Sequence, residues 1–287
     1  MDIEAIKQNE NWTEVIEPRT HFLDLRLKDV WRYRDLLMLF VRRDFVATYK
    51  QTILGPIWFF LQPVLTTLTF TLIFGKIAGI STDGLPMVLF YLAGITLWNY
   101  FSECLNRTAT ILKDNAQIFG KVYFPRLVMP LSIIVSNLVK LGIQFALFLC
   151  FWGYFLVTSS TVYPNSLILL FPLLIIIMGG LGLGFGLMIT AMTTKYRDLI
   201  FLLTFGVQLL MYATPVIYPL STIGAKYKIF IQANPMTPII ETFRYSFLGT
   251  GTFSWLMLGY SFLFMLVVMF LGVVIFNRVE RSFMDTV

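Results

Sequence analysis

Charge is what this chain has least of. Only 13% of its 287 residues are Asp, Glu, Lys or Arg, about half the share of an ordinary soluble domain. Apolar residues make up 57%. A soluble fold has no room to hide that much apolar surface, because much of any chain's area still faces water. The composition excludes a soluble enzyme, a nucleic-acid-binding domain and a disordered protein, and leaves the bilayer as the solvent. The net charge of +6 is then read as basic residues flanking membrane spans.

Other scarcities narrow the chemistry. The two cysteines, Cys104 and Cys150, sit in apolar stretches, and two residues make neither a disulfide framework nor a metal site. The one histidine, His21, lies in the polar N-terminal region and reads as solvated. Residues Met1–Thr20 are polar and acidic with no short apolar h-region after them, so the first apolar span is expected to insert and stay. No phosphate-cradling G-x-x-x-x-G-K-[ST] is present: Gly120-Lys121 runs into Val122 without the upstream glycine. There is no H-E-x-x-H. The acids in or near the apolar stretches are Asp83, Glu103 and Glu241, too few for a proton relay of the kind ion-coupled carriers use. The chain is expected to catalyse nothing by itself and to draw its energy from elsewhere. No internal repeat or low-complexity tract is visible.

What is present is a series of long apolar runs punctuated by charge. The runs predict six spans, 55–75, 86–106, 127–157, 166–192, 199–220 and 254–277, each long enough to supply the ~20 residues that cross a bilayer. The turn-rich stretch Thr158–Ser166 separates the third from the fourth. Near the span ends, eleven Lys or Arg fall on one side and four on the other, which puts both termini in the cytoplasm. The predicted class is all-α integral membrane.

Two segments depart from a plain bundle. In 22–50, Leu23, Leu27, Val30 and Trp31 fall on one helical stripe with charges elsewhere, the pattern of an amphipathic helix at the cytoplasmic interface. In 221–253, Pro235 and Pro238 interrupt the chain. There Thr237 is expected to cap a short helix carrying Ile240, Phe243 and Phe247, with Pro238 at its first position. This region is predicted to be an extracytoplasmic re-entrant or interfacial helical hairpin between spans five and six. Residues 1–21 are a cytoplasmic extension, and 51–287 form the transmembrane domain.

Within the spans, Gly180 with Gly184 and Gly182 with Gly186 have the spacing that lets helices approach closely. Lys140 lies well inside the third run, either a functional intramembrane cation, a snorkelling side chain or the lining of an aqueous vestibule. Glu241 and Arg244, at i, i+3, are expected to pair.

Ordered blocks then point to a family. Tyr49-Lys50-Gln51-Thr52-Ile53-Leu54-Gly55-Pro56-Ile57-Trp58 and Gln62-Pro63 open the first span. Ala93-Gly94-Ile95-Thr96-Leu97-Trp98 lies in the second. Asn115 to Arg126 follows it, Tyr196-Arg197-Asp198-Leu199 precedes span five, and Thr214-Pro215-Val216-Ile217-Tyr218-Pro219 closes it. Asn234-Pro235-Met236-Thr237-Pro238 and Arg244 mark the hairpin, and Glu280-Arg281-Ser282-Phe283 ends the chain. In this order they resemble the permease subunit of the ABC-2 type polysaccharide exporters, the branch moving O-antigen, capsular polysaccharide and teichoic acid, over about residues 22–287.

The resemblance implies a bacterial inner-membrane homodimer docked to two separate ATPase subunits. ATP and magnesium would bind to that partner and no cofactor to this chain. It implies a polyprenyl-diphosphate-linked polysaccharide as substrate. By the same resemblance, Lys113, Asn115, Ile118, Phe119, Lys121 and Tyr123 belong to a coupling helix that enters the ATPase, with Tyr196 and Arg197 a smaller contact. Arg42, Arg43 and Lys50, at headgroup level, suit a lipid diphosphate, because Arg forks match phosphate oxygens; plain anionic-lipid contact is the other reading. Trp58, Phe59, Phe60, Tyr91, Trp98, Tyr100, Tyr212 and Tyr218 are candidates to line a glycan channel by stacking on sugar C–H faces, against the reading that they are interfacial anchors. The competing functions are export of another lipid-linked glycan such as teichoic acid, export of small lipophiles, a membrane glycosyltransferase and an ATP-independent flippase.

Overall fold

The computed structural model describes residues 27–50, 53, 55–119, 124–196 and 198–284, and every regular element among them is helical. Two short pieces lead: α1 (Leu27–Arg32) and α2 (Arg34–Tyr49), broken at Tyr33. Val30, Phe40 and Val41 are buried, and Phe40 meets Phe124 at 5.7 Å. This packs one face of α2 on the start of α7, the helix Val128–Thr158. Trp31, expected on the same stripe as Val30, is instead 73% exposed. Adjacent residues on a helix stand well apart around the axis, and the subunit takes Val30. Met38 and Leu39 are also bare. Leu23, like the extension 1–21 with His21, lies outside the described residues.

The long helices follow. α3 (Trp58–Phe70) contains Pro63 and continues through a wider π-helical stretch, Thr71–Ile77. α4 (Met87–Ala109) is the centre of the bundle and packs against α3, α7, α11 (Thr237–Leu248), α9 (Leu199–Tyr212) and α8 (Phe171–Lys195). After α4 come two single turns, α5 (Ile111–Asp114) and α6 (Ala116–Phe119). Asn165 ends the link between α7 and α8: its side chain accepts from the Leu167 amide at 3.0 Å and starts the 3-10 turn Ser166–Leu170. α10 (Ala225–Gln232) precedes α11, and α12 (Trp255–Met284) ends the described chain.

Among the described residues, four helices are long and apolar enough to cross a membrane: Trp58–Ile77, Val128–Thr158, Ser166–Thr193 and Trp255–Val279. α4, with 23 residues, has the length. α9 does not reach the predicted 199–220. It stops at Tyr212 after 14 residues, a rise of about 21 Å. The apolar run continues, but Pro215 and Pro219 lack the N–H that would extend the helix and restrict the residues before them.

α8 lies between α4 and α12, and its glycines explain how. A Cβ on Gly184 would stand 2.8 Å from the Met269 amide nitrogen of α12; on Gly186, 2.5 Å from Thr108 Cβ of α4. Gly180 faces α12 and Gly182 faces α4 in the same way. The two small-residue pairs thus serve two different neighbours. Thr190 adds a hydroxyl donated to the Thr108 carbonyl at 2.6 Å, and Thr193 one to that of Ala109 at 2.5 Å.

Candidate functional site

Three polar places stand out in an otherwise apolar bundle. The first joins α2, the end of α4 and the turns α5–α6. Asp44 is buried and pairs with Arg43 at 2.8 Å and Arg107 at 3.8 Å. Arg43 also donates to Asn115 Oδ1 at 3.2 Å, and Asn115 donates to the Ile111 carbonyl at 3.1 Å. Around them is a cavity of about 170 Å³, lined by these groups with Asp114, Met129 and Ser132. Two arginines face two aspartates there, so the cavity carries no net positive field. Of the residues expected to meet a diphosphate, Arg43 is committed to this junction, while Arg42 and Lys50 are exposed.

The turns α5–α6 carry the expected coupling residues. Lys113 is exposed, as is Gln117, which the sequence reading did not single out. Asn115 faces inward to Arg43, and Ile118 packs on the cluster of Ile111, Phe124 and Val128. Asn115 and Ile118 therefore hold the segment in place, and Lys113 presents itself outward. Phe119 closes α6. Tyr196 is exposed between α8 and α9. Lys121, Tyr123 and Arg197 lie outside the described residues.

The second place is inside the bundle. Lys140 of α7 donates to Glu103 of α4 at 3.1 Å and stands 5.8 Å from the Phe59 ring of α3. Glu103 was not assigned to Lys140 from sequence, although they are oppositely charged residues isolated inside their helices. That isolation was the available signal.

The third place is at the far end. Arg244 of α11 is wholly buried; it donates to the carbonyls of Pro215 at 2.5 Å and Val216 at 2.6 Å. Its guanidinium lies 3.7 Å from the centre of the Phe90 ring. Glu241 stands 3.9 Å away, the expected i, i+3 pair. Burial pulls the Arg244 pKa down to about 10, and Glu241 and Asp83 oppose this, so it remains a cation at neutral pH. Gly94 makes room: a Cβ there would be 2.9 Å from both the Val216 oxygen and Arg244 Nη2. α10 and α11 do form a pair of short helices, and Ile240, Phe243 and Phe247 are buried. Thr237 does not cap α11; its hydroxyl donates back to Ile231 of α10 at 2.6 Å, and Asn234 accepts the Met236 amide at 3.0 Å. The prolines tighten the α10–α11 connection, which brings Ile231 within reach.

The aromatic candidates divide. Tyr91, Trp98 and Tyr100 are buried among α4's neighbours, and Phe59 is buried against Phe45, 5.8 Å away. Tyr218 is half-buried and donates to the Tyr212 carbonyl at 2.9 Å. Trp58, Phe60 and Tyr212 are open. Their helices also leave Gln62, Thr69, Thr204 and Gln208 exposed, whereas the exposed residues of α12 from Leu256 to Leu271 are all apolar.

Known proteins resemble this chain over most of its length. An O-antigen export system permease protein of Myxococcus xanthus is 29% identical over 220 residues, 76% of this chain and 82% of that protein. One from Klebsiella pneumoniae is 28% identical over 256 residues, 88% of this chain and 94% of its own. A polysialic acid transport protein of Escherichia coli is 26% identical over 252 residues, 85% of this chain and 93% of its own. Residues 35–248 match the ABC-2 type transporter family, and with its long apolar helices this chain belongs to that family of multi-pass membrane permeases.

Proposed function

We propose that this chain is the membrane subunit of an ATP-driven exporter of a polyprenyl-diphosphate-linked polysaccharide. It works as a homodimer with two separate ATPase subunits in the bacterial cytoplasmic membrane, both termini inside. The observation that carries the reading is the contrast of exposed faces. From Leu256 to Leu271, α12 offers only apolar side chains outward, which suits lipid. α3 and α9 offer Gln62, Thr69, Thr204 and Gln208 beside Trp58, Phe60 and Tyr212. Amides cost free energy against lipid but suit a hydrated path for sugars, with aromatic rings for their C–H faces. Two copies joined around α3 and α9 would enclose that path. The names of the relatives support a glycan cargo.

In this reading the six spans are α3, α4, α7, α8, α9 with the buried stretch after it, and α12; α10 and α11 form the re-entrant hairpin at the exit. The segment 111–123, with Tyr196 and Arg197, docks the ATPase, with Lys113, Phe119 and Lys121 as its contact residues. Arg42 and Lys50 meet the lipid diphosphate. ATP-driven motion of the turns is passed on as rigid-body movement.

The test is co-expression with a candidate ATPase subunit. The expected result is a co-purifying complex whose ATP hydrolysis falls in Phe119→Ala and Lys121→Ala, with a lipid-linked glycan carried into inverted membrane vesicles' exterior-equivalent lumen. A chain that purifies alone as a stable monomer and leaves ATP hydrolysis unchanged overturns the proposal.

A further inference from the structure

We propose that Asn99 and Glu103 of α4 with Asn137, Lys140 and Gln144 of α7 form a saccharide subsite in the half of the membrane nearer α2; this rests on the export reading above. Positions 99 and 103 are i, i+4, and 137, 140 and 144 are i, i+3, i+7, so each set occupies one helical face. The two faces meet. Besides the Lys140–Glu103 pair, Asn99 donates to Gln144 at 3.5 Å, and Asn137 donates to Cys104 Sγ at 3.7 Å. The Asn137 side-chain oxygen Oδ1 has no partner, although the residue is 1% exposed and lines the same notch.

Depth makes this cluster unusual. Lys140 lies about 18 Å along α7 from Val128, and Glu103 about 9 Å along α4 from Ala109. An ion pair serving only to join two spans would be enclosed by them, since a carboxylate facing hydrocarbon is costly. Here the Glu103 side chain is 50% exposed and that of Lys140 16%. This wall therefore faces water or a polar ligand.

The chemistry selects the ligand. One cation and one carboxylate cancel, so the notch does not favour a diphosphate. Amide donors, amide acceptors and a carboxylate together match the mixed donor–acceptor hydroxyls of a sugar. The notch itself encloses only about 20 Å³, room for one water. A pyranose would lie across its mouth with hydroxyls reaching in, beside the aromatic start of α3. Trp58 and Phe60 are exposed there, one on each side of Phe59 in the chain.

The test uses the full complex with its ATPase, with Cys104 and Cys150 replaced by alanine. Asn99→Cys, Gln144→Cys and the outward Leu263→Cys are each treated with a membrane-impermeant methanethiosulfonate ammonium reagent. Membranes come from cells that make the lipid-linked glycan and from cells blocked in its synthesis. Positions 99 and 144 are expected to react and 263 not, with reaction about tenfold slower when glycan is present. Reaction no faster than at 263 overturns the proposal, because the wall then faces lipid. Equal rates with and without glycan overturn it too, leaving a wet wall that holds no sugar. Asn99→Ala and Gln144→Ala, which keep the ion pair, should assemble normally and export about tenfold less glycan; wild-type export in both refutes the subsite. A wild-type complex that exports no glycan refutes the reading beneath it instead.

Discussion

α8 and α9 follow one another in the chain and are similarly apolar, yet they live in different surroundings. α8 is held on two sides by α4 and α12 at backbone distance. α9 buries only Val207, and Phe201, Leu202, Phe205 and Leu209 stand open. Hydrophobicity does not separate them; the spacing of small residues does. Lipid is as apolar as leucine, so helices in a membrane associate by close packing and hydrogen bonds rather than by escape from solvent. α8 has paired glycines and two threonine hydroxyls for its neighbours. The single glycine of α9, Gly206, has nothing within 4 Å of where a Cβ would sit. One half of the subunit is finished, and the other presents surface.

The largest expected effect is at the point where the bare half is tied to the finished one. Arg244→Met leaves the Pro215 and Val216 carbonyls unpaired and Glu241 without its cation. A loss of about 3–5 kcal/mol should appear as a lower detergent unfolding midpoint, and the comparison weakens if the midpoint holds. Next comes Gly184→Leu, which must push α8 from the α12 backbone at a cost of about 3 kcal/mol. Gly206→Leu in α9 should fold as wild type; equal damage from both would break the contrast. A third experiment reads proximity. In a cysteine-free background, Gln208→Cys should cross-link to a second copy with a short bifunctional thiol reagent, and Leu263→Cys on α12 should not cross-link. The smallest effect is Gln208→Leu, expected to leave the unfolding midpoint unchanged and lower glycan export by about threefold.

Much of this arrangement could be read from residues. The ends of α4, α7 and the α8 span fall within three residues of the predicted limits, because charge and turn residues mark where chain leaves hydrocarbon. α9 was read too long because hydropathy records composition, and Pro215 acts through a missing N–H. The glycine pairs were legible as close contacts, but not which pair met which neighbour. Lys140 was visible as an isolated charge; its partner lies 37 positions away, where no helical periodicity connects them. The aromatics were the least legible. Tyr91, Trp98 and Tyr100 fill the interior while Trp58 and Phe60 do not, and an aromatic in a polytopic chain carries no mark of which it will do. The Asp44 junction was also missed, since Arg42 and Arg43 read as cations for a lipid diphosphate or anionic lipid rather than as neighbours of a buried acid.

The alternating glycines of α8 also limit how it can travel. A slide of one turn, about 5.4 Å, would carry Met188 to the place of Gly184 and Thr190 to that of Gly186. In the opposite sense, Ile176 would arrive at the place of Gly180 and Met178 at that of Gly182. A Cβ at any of those places would stand only 2.5–2.8 Å from a neighbouring atom. The seam has one register and no adjacent stop. α4, α8 and α12 can tilt together but cannot ratchet past one another, so a stroke through this seam must be a tilt of the three as one body.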